Sequence, residues 1–453
     1  MPDTSRAGPS GSAGRDLEEL PEELRRLDVL VSRGGGLIGQ VARISQESSG
    51  LTVYNATMGE LEHVQPNIRS TGGRASGVEL GGGGGGIDPP LARAVSIAEA
   101  LERYSSCVVP KDLVWASADD LGDRAADLAS FARASETELA HPACPVTMPD
   151  REEPIRWTTA WSLTEGRPVM VPAVAVWLHI PALTASERFT LPVSTGCATH
   201  TDLNRALLNG ICEVIERDAI TLTWLQRLPL PRIEFDTMSD ELARSIREVE
   251  RKGIRTTFFD ATSELGIPTL YSVDEDPQSR RLRHVAMCAT DFDPDRAAIK
   301  MLRETASSRI ALGTAEPAPS NVNDFHSVFH GATYMGAAER TAAYDFLREP
   351  DNGVRRFSAL PRPSTGEAGE DLRLVLKRLK EHGMDVYAVE MTTTEAREVG
   401  FRVVRVIIPQ LMPLSFSYRA RYLAHPRLYD GPRAMGYPVH AEADLNPWPQ
   451  PFA

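Results

Sequence analysis

The chain of 453 residues carries 62 acidic and 49 basic side chains and a formal net charge of −13. Its length exceeds one simple domain, and its charge argues against a general nucleic-acid binder. No apolar run approaches the ~20 residues of a membrane span, and the N-terminus lacks the apolar core of a signal peptide. Five scattered cysteines without a Cys-x-x-Cys pair indicate a reduced, cytoplasmic location, with neither a disulfide framework nor a zinc site. We therefore expect a cytoplasmic protein without nucleic-acid or membrane partners.

Three segments are predicted along the chain. Residues 1–26 form a disordered tail, since "MPDTSRAGPSGSAGRD" is polar and rich in Gly, Pro and Ser. Residues 27–446 form one large domain, and residues 447–453 a proline-rich C-terminal tail. Strands are predicted in "GLIGQVARI", "LTVYNATM", "TTAWSL", "RPVMVPAVAVWL", "RFTLPV", "RTTFFDAT", "PTLYSV" and "HVAMCAT", and a late helix, "DLRLVLKRLKEHG", precedes the strands "MDVYAVEMT" and "FRVVRVIIP". This alternation of helices with largely buried strands predicts a mixed α/β class.

The string Glu-x-x-Glu-Arg occurs twice, in "AEALERYSS" and in "CEVIERDAI". A single such string is ordinarily the solvated face of a helix. Here the surroundings are apolar: in the second copy Asn209, Glu213 and Glu216 form one polar stripe on a helix that is otherwise apolar nearly all round. Buried carboxylates are costly unless a partner charge or a metal neutralises them. The first copy has the same character, with its polar group formed by Ser96, Glu99, Glu102 and Arg103.

A third segment is related to these two. "CATHTDLNRALLNGICE" and "CATDFDPDRAAIKMLRE" share Cys-Ala-Thr, an Asp, Arg-Ala and the final Glu. In all three segments an Asp, a favoured helix N-cap, precedes the first Glu at one constant spacing. The pairs are Asp88 and Glu99, Asp202 and Glu213, and Asp293 and Glu304. The pattern predicts three turn–helix units, entered from "GGGGGGI", "STGCATH" and "MCATDF", that place acids around one site in a pseudo-symmetric fold.

The glycine run has two interpretations. It could cradle phosphate with its amides near a helix N-terminus, or it could be a flexible connector. It lacks the Lys-Ser/Thr of a P-loop.

Clustered carboxylates without Cys or His partners favour hard cations, above all Mg²⁺. Because Mg²⁺ prefers few carboxylates together with phosphate oxygens, the predicted ligand is a nucleotide. Arg103, Arg217 and Arg309 would supply forked donors to its phosphates. Cys197 and Cys288, at matched positions, are interpreted as small buried hydrophobes rather than as nucleophiles.

The C-terminal "LNPWPQPFA" holds three prolines at alternate positions, Pro447, Pro449 and Pro451. It is either an untied end or a stiff extended segment that could be placed with little loss of entropy.

These segments, in order and followed by "VVRVIIPQLMPLSF", resemble the YcaO family from about Gly81 to the C-terminus. The terminal Pro-x-Pro-x-Pro is similar to that of the branch that makes azoline rings in ribosomal peptides. The resemblance implies a YcaO-like fold with an ATP and Mg²⁺ site on Glu99, Glu102, Asn209, Glu213, Glu216 and Arg217, with Arg309 from the third helix. Together with the repeat, we assign nucleotide contacts also to Ser96, Arg103 and Glu304, metal binding to Glu99, Glu102, Glu213 and Glu216, and catalytic roles to Arg217, Arg309, Pro447, Pro449, Pro451 and Ala453.

The implied reaction starts when a Cys, Ser or Thr side chain of a peptide attacks the preceding backbone carbonyl. ATP phosphorylates the oxyanion, and loss of phosphate closes a thiazoline or oxazoline. The expected partners are a ribosomal precursor peptide and a separate leader-peptide-binding protein, ThiF-like or similar; a homodimer is allowed. Two other functions stay open: a YcaO enzyme that makes a thioamide or macrocyclic amidine, and a non-catalytic scaffold of a peptide-modifying complex.

Three departures from the family pattern concern the nucleotide contacts. Gly84, Gly85 and Gly86 stand where the family usually has Gly-Lys-Gly, Val95 where it has a serine, and Ser307 where it often has a glutamine.

Overall fold

The structure is a computed structural model that describes residues 20–44, 51–59, 61, 65, 67–68 and 81–452. The expected tail at residues 1–19 lies outside these residues. The expected boundary at residue 26 is wrong, because helix α1 already covers Glu22–Arg25. Leu20 is buried, and Asp28 pairs with Arg93. Helical structure and a buried side chain are therefore present before the predicted boundary.

The predicted mixture of helices and strands is confirmed. The further helices are α2 Pro89–Cys107, α3 Ala118–Leu121, α4 Glu136–Leu139, α5 Leu203–Gln226, α6 Asp240–Glu250, α7 Pro294–Thr314, α8 Val328–Gly336, α9 Ala368–Glu381, α10 Thr394–Glu398 and α11 Arg427–Ala434. The predicted N-caps of α2, α5 and α7 are present, since the side chains of Asp88, Asp202 and Asp293 each accept a first-turn N–H. Across the described parts of the chain, none of the helices combines the length and the hydropathy needed to cross a lipid bilayer.

The strands are β1 Ile38–Ile44, β2 Thr52–Met58, β3 Gly82–Gly86, β4 Val114–Ala116, β5 Ile155–Ser162, β6 Arg167–Pro172, β7 Cys197–His200, β8 Arg232–Glu234, β9 Arg255–Asp260, β10 Thr269–Glu275, β11 His284–Thr290, β12 Val354–Arg356, β13 Tyr387–Glu390 and β14 Arg402–Ile407. They form three sheets, with the orders β1-β2-β3, β11-β10-β9-β8-β12 and β4-β5-β13-β14-β7, and β6 pairs with β5. Every pairing is antiparallel except that of β8 with β12.

Each sheet ends in a strand that leads directly into one of the three related helices. These edge strands are β3, β7 and β11. Helix α2 packs on β3 and β7, α5 packs on β7 and β11, and α7 packs on β11 and β3. The repeated unit is therefore a strand followed by a helix, which corrects the predicted turn–helix unit. The three units surround one region in a cyclic order.

The glycine run forms strand β3, so neither the phosphate loop nor the flexible connector describes it. A Cβ atom on Gly82 would lie 2.0 Å from the Ser96 carbonyl oxygen, and one on Gly84 would lie 1.9 Å from that of Ala92. On the opposite face, a Cβ atom on Gly85 would lie 2.7 Å from the Arg303 carbonyl oxygen of α7. Only a strand without side chains lets the backbones of two helices approach this closely.

The segment "RFTLPV" was predicted as a strand and is not one. A 3-10 helix over Ala185–Phe189 replaces its beginning. It is held by buried Glu187, which pairs with Arg156 at 2.7 Å. "AVAVWL", the second half of another predicted strand, also leaves the sheet, with a 3-10 helix over Ala173–Ala175. Short apolar runs are ambiguous because burial alone does not choose a backbone conformation.

The close contact of β3 with α2 can be tested by substituting neighbouring glycines. We expect Gly84→Ala to lower the free energy of unfolding by about 3 kcal/mol or more, because backbone rather than a flexible side chain must move. Gly83→Ala is the matched control, since its Cβ would meet only ordinary contacts at 3.8 Å. Denaturant unfolding of both variants measures the difference; equal stability would contradict the packing described.

Candidate active site

The first acids of α2 and α5 are tied back to the edge strands. The Gly83 N–H donates to Glu99 Oε2 at 2.8 Å, and the Gly196 N–H donates to Glu213 Oε2 at 2.9 Å. Gly196 has a positive φ, +85°, and a Cβ atom there would lie 2.2 Å from the Val406 carbonyl oxygen. A glycine is thus required at the entry to β7. Both carboxylates receive a backbone donor from the strand of their own unit.

The second oxygens of these acids face arginines one helical turn later. Arg103 Nη2 donates to Glu99 Oε1 at 2.6 Å, and Arg217 Nη2 donates to Glu213 Oε1 at 3.2 Å. Residues four apart share one helix face, so each copy of the repeated string brings its own acid–arginine pair.

Glu216 is the most enclosed acid, with no exposed surface. Arg217 pairs with its Oε1, while the Thr290 N–H and Lys300 Nζ donate to its Oε2 at 3.0 and 2.9 Å. Burial alone would raise its pKa, but Lys300 and Arg217 outweigh burial and hold the pKa below the ordinary value. Glu216 is therefore ionised, and it joins α5 to β11 and α7.

Glu304 and Lys300 are the contribution of α7. Their charged ends are 3.7 Å apart. The pKa of Glu304 is raised to about 7, because burial and the charge of Glu216 outweigh the opposing effect of Lys300. Sequence analysis gave Lys300 no role, although it stands four residues before Glu304, in the position that Asn209 holds before Glu213. The same-face rule for helices would have found it.

Glu102 and Glu213 are incompletely compensated. Burial, followed by the charges of Glu213 and Glu99, raises the pKa of Glu102 well above its ordinary value. Burial also raises the pKa of Glu213, and Arg217 offsets this only in part. We call Glu99, Glu102, Glu213, Glu216 and Glu304, with the cations Arg103, Arg217 and Lys300, the acid cluster.

With all five carboxylates ionised, the three cations would leave a formal excess of two negative charges in the acid cluster, which one divalent cation would balance. Burial and mutual repulsion oppose this excess when no such cation is bound, and they raise the pKa values of Glu102, Glu213 and Glu304. The donor set is oxygen only, as Mg²⁺ prefers. Among the described residues, no three acid, histidine or cysteine side chains converge closely enough to hold an ion by themselves. The four predicted ligands Glu99, Glu102, Glu213 and Glu216 therefore do not form a closed metal cage. This arrangement fits Mg²⁺ that takes its remaining ligands from phosphate and water.

One predicted nucleotide contact, Ser96, directs its hydroxyl to its own helix, and another, Asn209, lies beside the first acid of α5. Ser96 is fully buried, and its hydroxyl donates to the Arg93 carbonyl oxygen at 2.7 Å, so it does not replace the missing family serine. Val95 is 42% exposed instead, on the face of α2 that carries Glu99. Asn209 is exposed, one turn before Glu213, at the open end of the predicted stripe.

Arg309 lies on the face of α7 opposite Lys300 and is held by another part of the protein. Its Nε donates to Asp274 Oδ2 at 3.2 Å, and its Nη1 donates to the Leu282 carbonyl oxygen. Residues nine apart lie on opposite faces of a helix, so Arg309 points away from Lys300. Its Nη2 is buried without a hydrogen-bond partner among the described residues. A buried aspartate, which the sequence did not reveal, is thus its partner, and no acid of the cluster contacts it.

The C-terminal segment is packed into the protein as far as Phe452, and Ala453 lies outside the described residues. The Pro447 carbonyl oxygen accepts from Tyr418 at 2.7 Å, and that of Trp448 accepts from Trp224 Nε1 at 3.0 Å. Phe452 is buried edge-on against Tyr271, with ring centroids 5.4 Å apart. Pro449 and Pro451 are also buried, whereas Pro447 is exposed. A proline ring has no group that transfers protons, so these residues position the chain rather than react.

The position of Phe452 relates the tail to the acid cluster. Its partner Tyr271 stands opposite Cys288 in the β10–β11 ladder. Burial, and then the charge of Glu216, raises the pKa of the Cys288 thiol well above its ordinary value. This thiol is therefore protonated, as expected of a small buried hydrophobe, and it lies between the tail and the acids.

The comparisons with known proteins agree with this geometry. The family model described as YcaO cyclodehydratase, ATP- and Mg²⁺-binding, matches residues 83–412. An uncharacterized protein of Methanothermobacter thermautotrophicus is 28% identical over 343 residues, which cover 72% of this chain and 80% of that protein.

Solved structures show the same fold. A heterocyclase in complex with substrate and cofactor has a TM-score of 0.77 at 22% identity over 95% of this chain, which spans 57% of that heterocyclase. YcaO from Methanopyrus kandleri, bound with AMPPCP and Mg²⁺, has a TM-score of 0.57 at 20% identity, covering 83% of this chain and 86% of that one. The E. coli microcin synthetase complex with its pro-peptide bound has a TM-score of 0.56 at 14% identity, covering 84% and 90%.

The family match spans well over half of the chain and includes α2, α5 and α7 with every member of the acid cluster. The chain belongs to the YcaO family, whose cofactors are ATP and Mg²⁺.

Proposed function

We propose that this protein is an ATP-dependent peptide cyclodehydratase. It would convert Cys, Ser or Thr residues of a ribosomal precursor peptide to thiazolines or (methyl)oxazolines. The observation that carries the proposal is the acid cluster, with a formal excess of two negative charges, next to a buried proline-rich C-terminal segment. The family description and the heterocyclase neighbours support the same general reaction.

Each acid would have a distinct task. Glu102 and Glu213 would hold Mg²⁺ together with Glu99, because the negative charges of Glu102 and Glu213 are incompletely compensated by cations. Glu216 would instead fix Arg217 and Lys300, since its oxygens are already occupied. When bound, Mg-ATP supplies the phosphoryl group that turns a poor amide leaving group into a good one. The protein mainly aligns the peptide and neutralises charge.

The bonds balance as follows. The nucleophilic side chain of the substrate forms a bond to the preceding carbonyl carbon, and the carbonyl oxygen becomes phosphorylated. That oxygen then departs with phosphate as the C=N bond of the ring forms. The peptide loses one water equivalent per ring, and ATP becomes ADP and phosphate. Arg217, which pairs with Glu213 and Glu216, would stabilise the charge that develops on phosphate.

The C-terminal segment would bring the carboxylate of Ala453 to the reacting peptide. Phe452 is one residue from this terminus and lies two side chains from Glu216, by way of Tyr271 and Cys288. A carboxylate there could orient or deprotonate the attacking group. Alternating prolines keep such a segment extended with little entropy to lose.

A separate protein would present the precursor peptide. The microcin synthetase neighbour is a complex with its pro-peptide bound, which supports both a peptide substrate and a partner subunit. A ThiF-like identity of this partner and a homodimer of this chain stay predictions.

Mass spectrometry tests the proposed reaction. A candidate precursor peptide incubated with enzyme, Mg²⁺ and ATP, with and without the partner protein, should lose one water mass per ring, and ATP consumption should require the peptide. Glu102→Gln is the inactive control. A gain in mass would indicate a thioamide, and water loss that N-acetylation of the peptide prevents would indicate an amidine. If the peptide shows no change in mass and ATP is not consumed, the remaining function is that of a non-catalytic scaffold in a peptide-modifying complex.

The tail is tested by appending a few glycines after Ala453, which preserves the packing of Phe452. We expect ring formation under saturating ATP to fall by about 10²–10⁴-fold while ATP affinity is retained. The same extension at the N-terminus is the control. Deletion of Pro449–Ala453 should slow the reaction similarly, but it also removes the contact with Tyr271. Wild-type rates in the extended enzyme would contradict a role for the carboxylate.

Glu213→Gln and Glu216→Gln should both weaken Mg-ATP binding but should differ in stability. Glu216→Gln is expected to lower the free energy of unfolding by about 2 kcal/mol, less than for a fully buried pair because Lys300 is 38% exposed. Because the pKa of Glu216 is lowered, this contribution is present at neutral pH and is lost only on acidification. Glu213→Gln should be neutral or slightly stabilising, since the pKa of Glu213 is raised.

Calorimetric titration with Mg-ATP and denaturant unfolding at pH 7 measure the two effects. Unchanged nucleotide affinity in both variants would contradict a role for Glu213 and Glu216 in binding Mg-ATP. Equal stability of the two variants would contradict the division of tasks between Glu213 and Glu216.

A further inference from the structure

A cleft opens beside the acid cluster, along the C-terminal half of α5. Its volume is about 470 Å³, including space open to solvent. Thr221 lies in its wall one helical turn, about 5.4 Å, beyond Arg217. We call it the aromatic cleft, and its principal lining residues are Thr221, Trp224, Phe325, Phe416, Tyr418 and Pro449.

The loop Pro413–Ser417 forms one wall of this cleft and is fixed at both ends. The Pro413 carbonyl oxygen accepts from Thr221 Oγ1 at 3.1 Å. The Ser417 carbonyl oxygen accepts from the Ala420 N–H at 3.2 Å. Between these anchors the backbone N–H and C=O groups of residues 414–416 have no hydrogen-bond partner within the described ranges. A fixed segment thus presents a run of open backbone donors and acceptors.

Open backbone groups beside an apolar pocket are the two features that bind an extended peptide. The backbone supplies affinity that does not depend on sequence, and the pocket selects one side chain. Glu and Asp are absent from the described lining of the aromatic cleft, which disfavours a basic side chain as occupant. Its cation, Arg421, stacks on Tyr418 at 4.6 Å and donates to the Asn446 carbonyl oxygen. The occupant favoured is therefore apolar.

We propose that the aromatic cleft binds an apolar side chain of the substrate peptide close to the residue that is cyclised, while Leu414–Phe416 pairs with the peptide backbone. The inference rests on the proposed function and specifies its substrate. An extended chain advances about 3.3–3.6 Å per residue, so one helical turn corresponds to about two residues. Flanking residues within about three positions of the reacting Cys, Ser or Thr would reach the cleft.

The C-terminal segment would set the width of this cleft as well as approach the chemistry. Pro449 and Gln450 line the cleft together with the loop. A Cβ atom on Gly331 of α8 would lie 2.2 Å from the Gln450 carbonyl oxygen, so the tail rests directly on that helix. The selected side chain and the C-terminal residue would therefore be positioned by the same seven residues.

The test measures binding rather than turnover. The probe is a fluorescently labelled, glycine-rich peptide with one cysteine and a phenylalanine two positions away; companion peptides carry glycine, aspartate or lysine in its place. Anisotropy is followed in Mg²⁺, both without and with a non-hydrolysable ATP analogue. The phenylalanine peptide should bind about tenfold or more tightly than the glycine peptide, as burial of one aromatic ring allows. The aspartate and lysine peptides should bind no better than glycine.

Three variants locate this preference. Phe416→Ala should bring the phenylalanine and glycine peptides to within about twofold of each other, and Phe416→Leu should retain part of the difference. Ser415→Pro, which removes one backbone donor, should weaken all peptides alike. Trp115→Ala, an exposed aromatic on β4 outside the cleft, should change nothing. Thermal melting checks that each variant is folded.

Several results would overturn the inference. One is no measurable binding of the phenylalanine peptide, and another is equal binding of all peptides by the wild type. A third is a preference that persists in Phe416→Ala. Displacement of the probe by the ATP analogue would instead assign the cleft to adenine. Selective binding of the phenylalanine peptide without dehydration of its cysteine would contradict the proposed function but would support the assignment of the cleft. Dehydration without any preference for an apolar neighbouring residue would support the proposed function but would contradict the assignment of the cleft.

Discussion

Repulsion among five carboxylates that share three cations is the constraint on which the centre of this protein depends. The surrounding elements act mainly to contain it. The edge strands direct backbone N–H groups at Glu99, Glu213 and Glu216. Arginines one turn along α2 and α5 take the remaining oxygens of the first acids. The negative charge that remains in excess is small enough for the protein to fold. It is also large enough to attract a divalent cation, as a site for Mg-ATP requires.

The three units contribute unequally despite their common origin in the repeat. At the position of the second acid, Glu102 in α2 and Glu216 in α5, helix α7 has Ser307. At the position four residues before the first acid, α2 has Val95, α5 has Asn209 and α7 has Lys300. The third unit therefore brings positive charge to a ring that would otherwise hold only acids and two arginines. The family usually has a lysine before its first helix, and this chain has a glycine at that position. In this structure a cation reaches the acids from α7 instead.

What could be predicted from the sequence was local. The spacing of Asp88, Asp202 and Asp293 before their acids fixes helix starts and helix faces, because N-capping and the 3.6-residue period need no knowledge of distant contacts. What could not be predicted was decided by contacts between distant parts of the chain. Arg309 has the residue type of a phosphate ligand, yet Asp274 on β10 holds it, and Ser96 turns its hydroxyl to its own helix. The glycine run was interpreted as a loop because its local sequence does not indicate that two helices pack against it.

Strand β3 also bears on the order in which the protein assembles. Glycine loses more conformational freedom on folding than any other residue, and five in succession offer no side chain to offset that loss. Such a strand has no stability of its own and exists only when β2 pairs with it and α2 and α7 enclose it. Its ordering therefore waits for two helices whose first residues, Pro89 and Pro294, are more than two hundred positions apart in the chain. Glu99 receives the Gly83 N–H only after that event, so the final geometry of the acid cluster is among the last things to form, and it forms cooperatively with the whole domain.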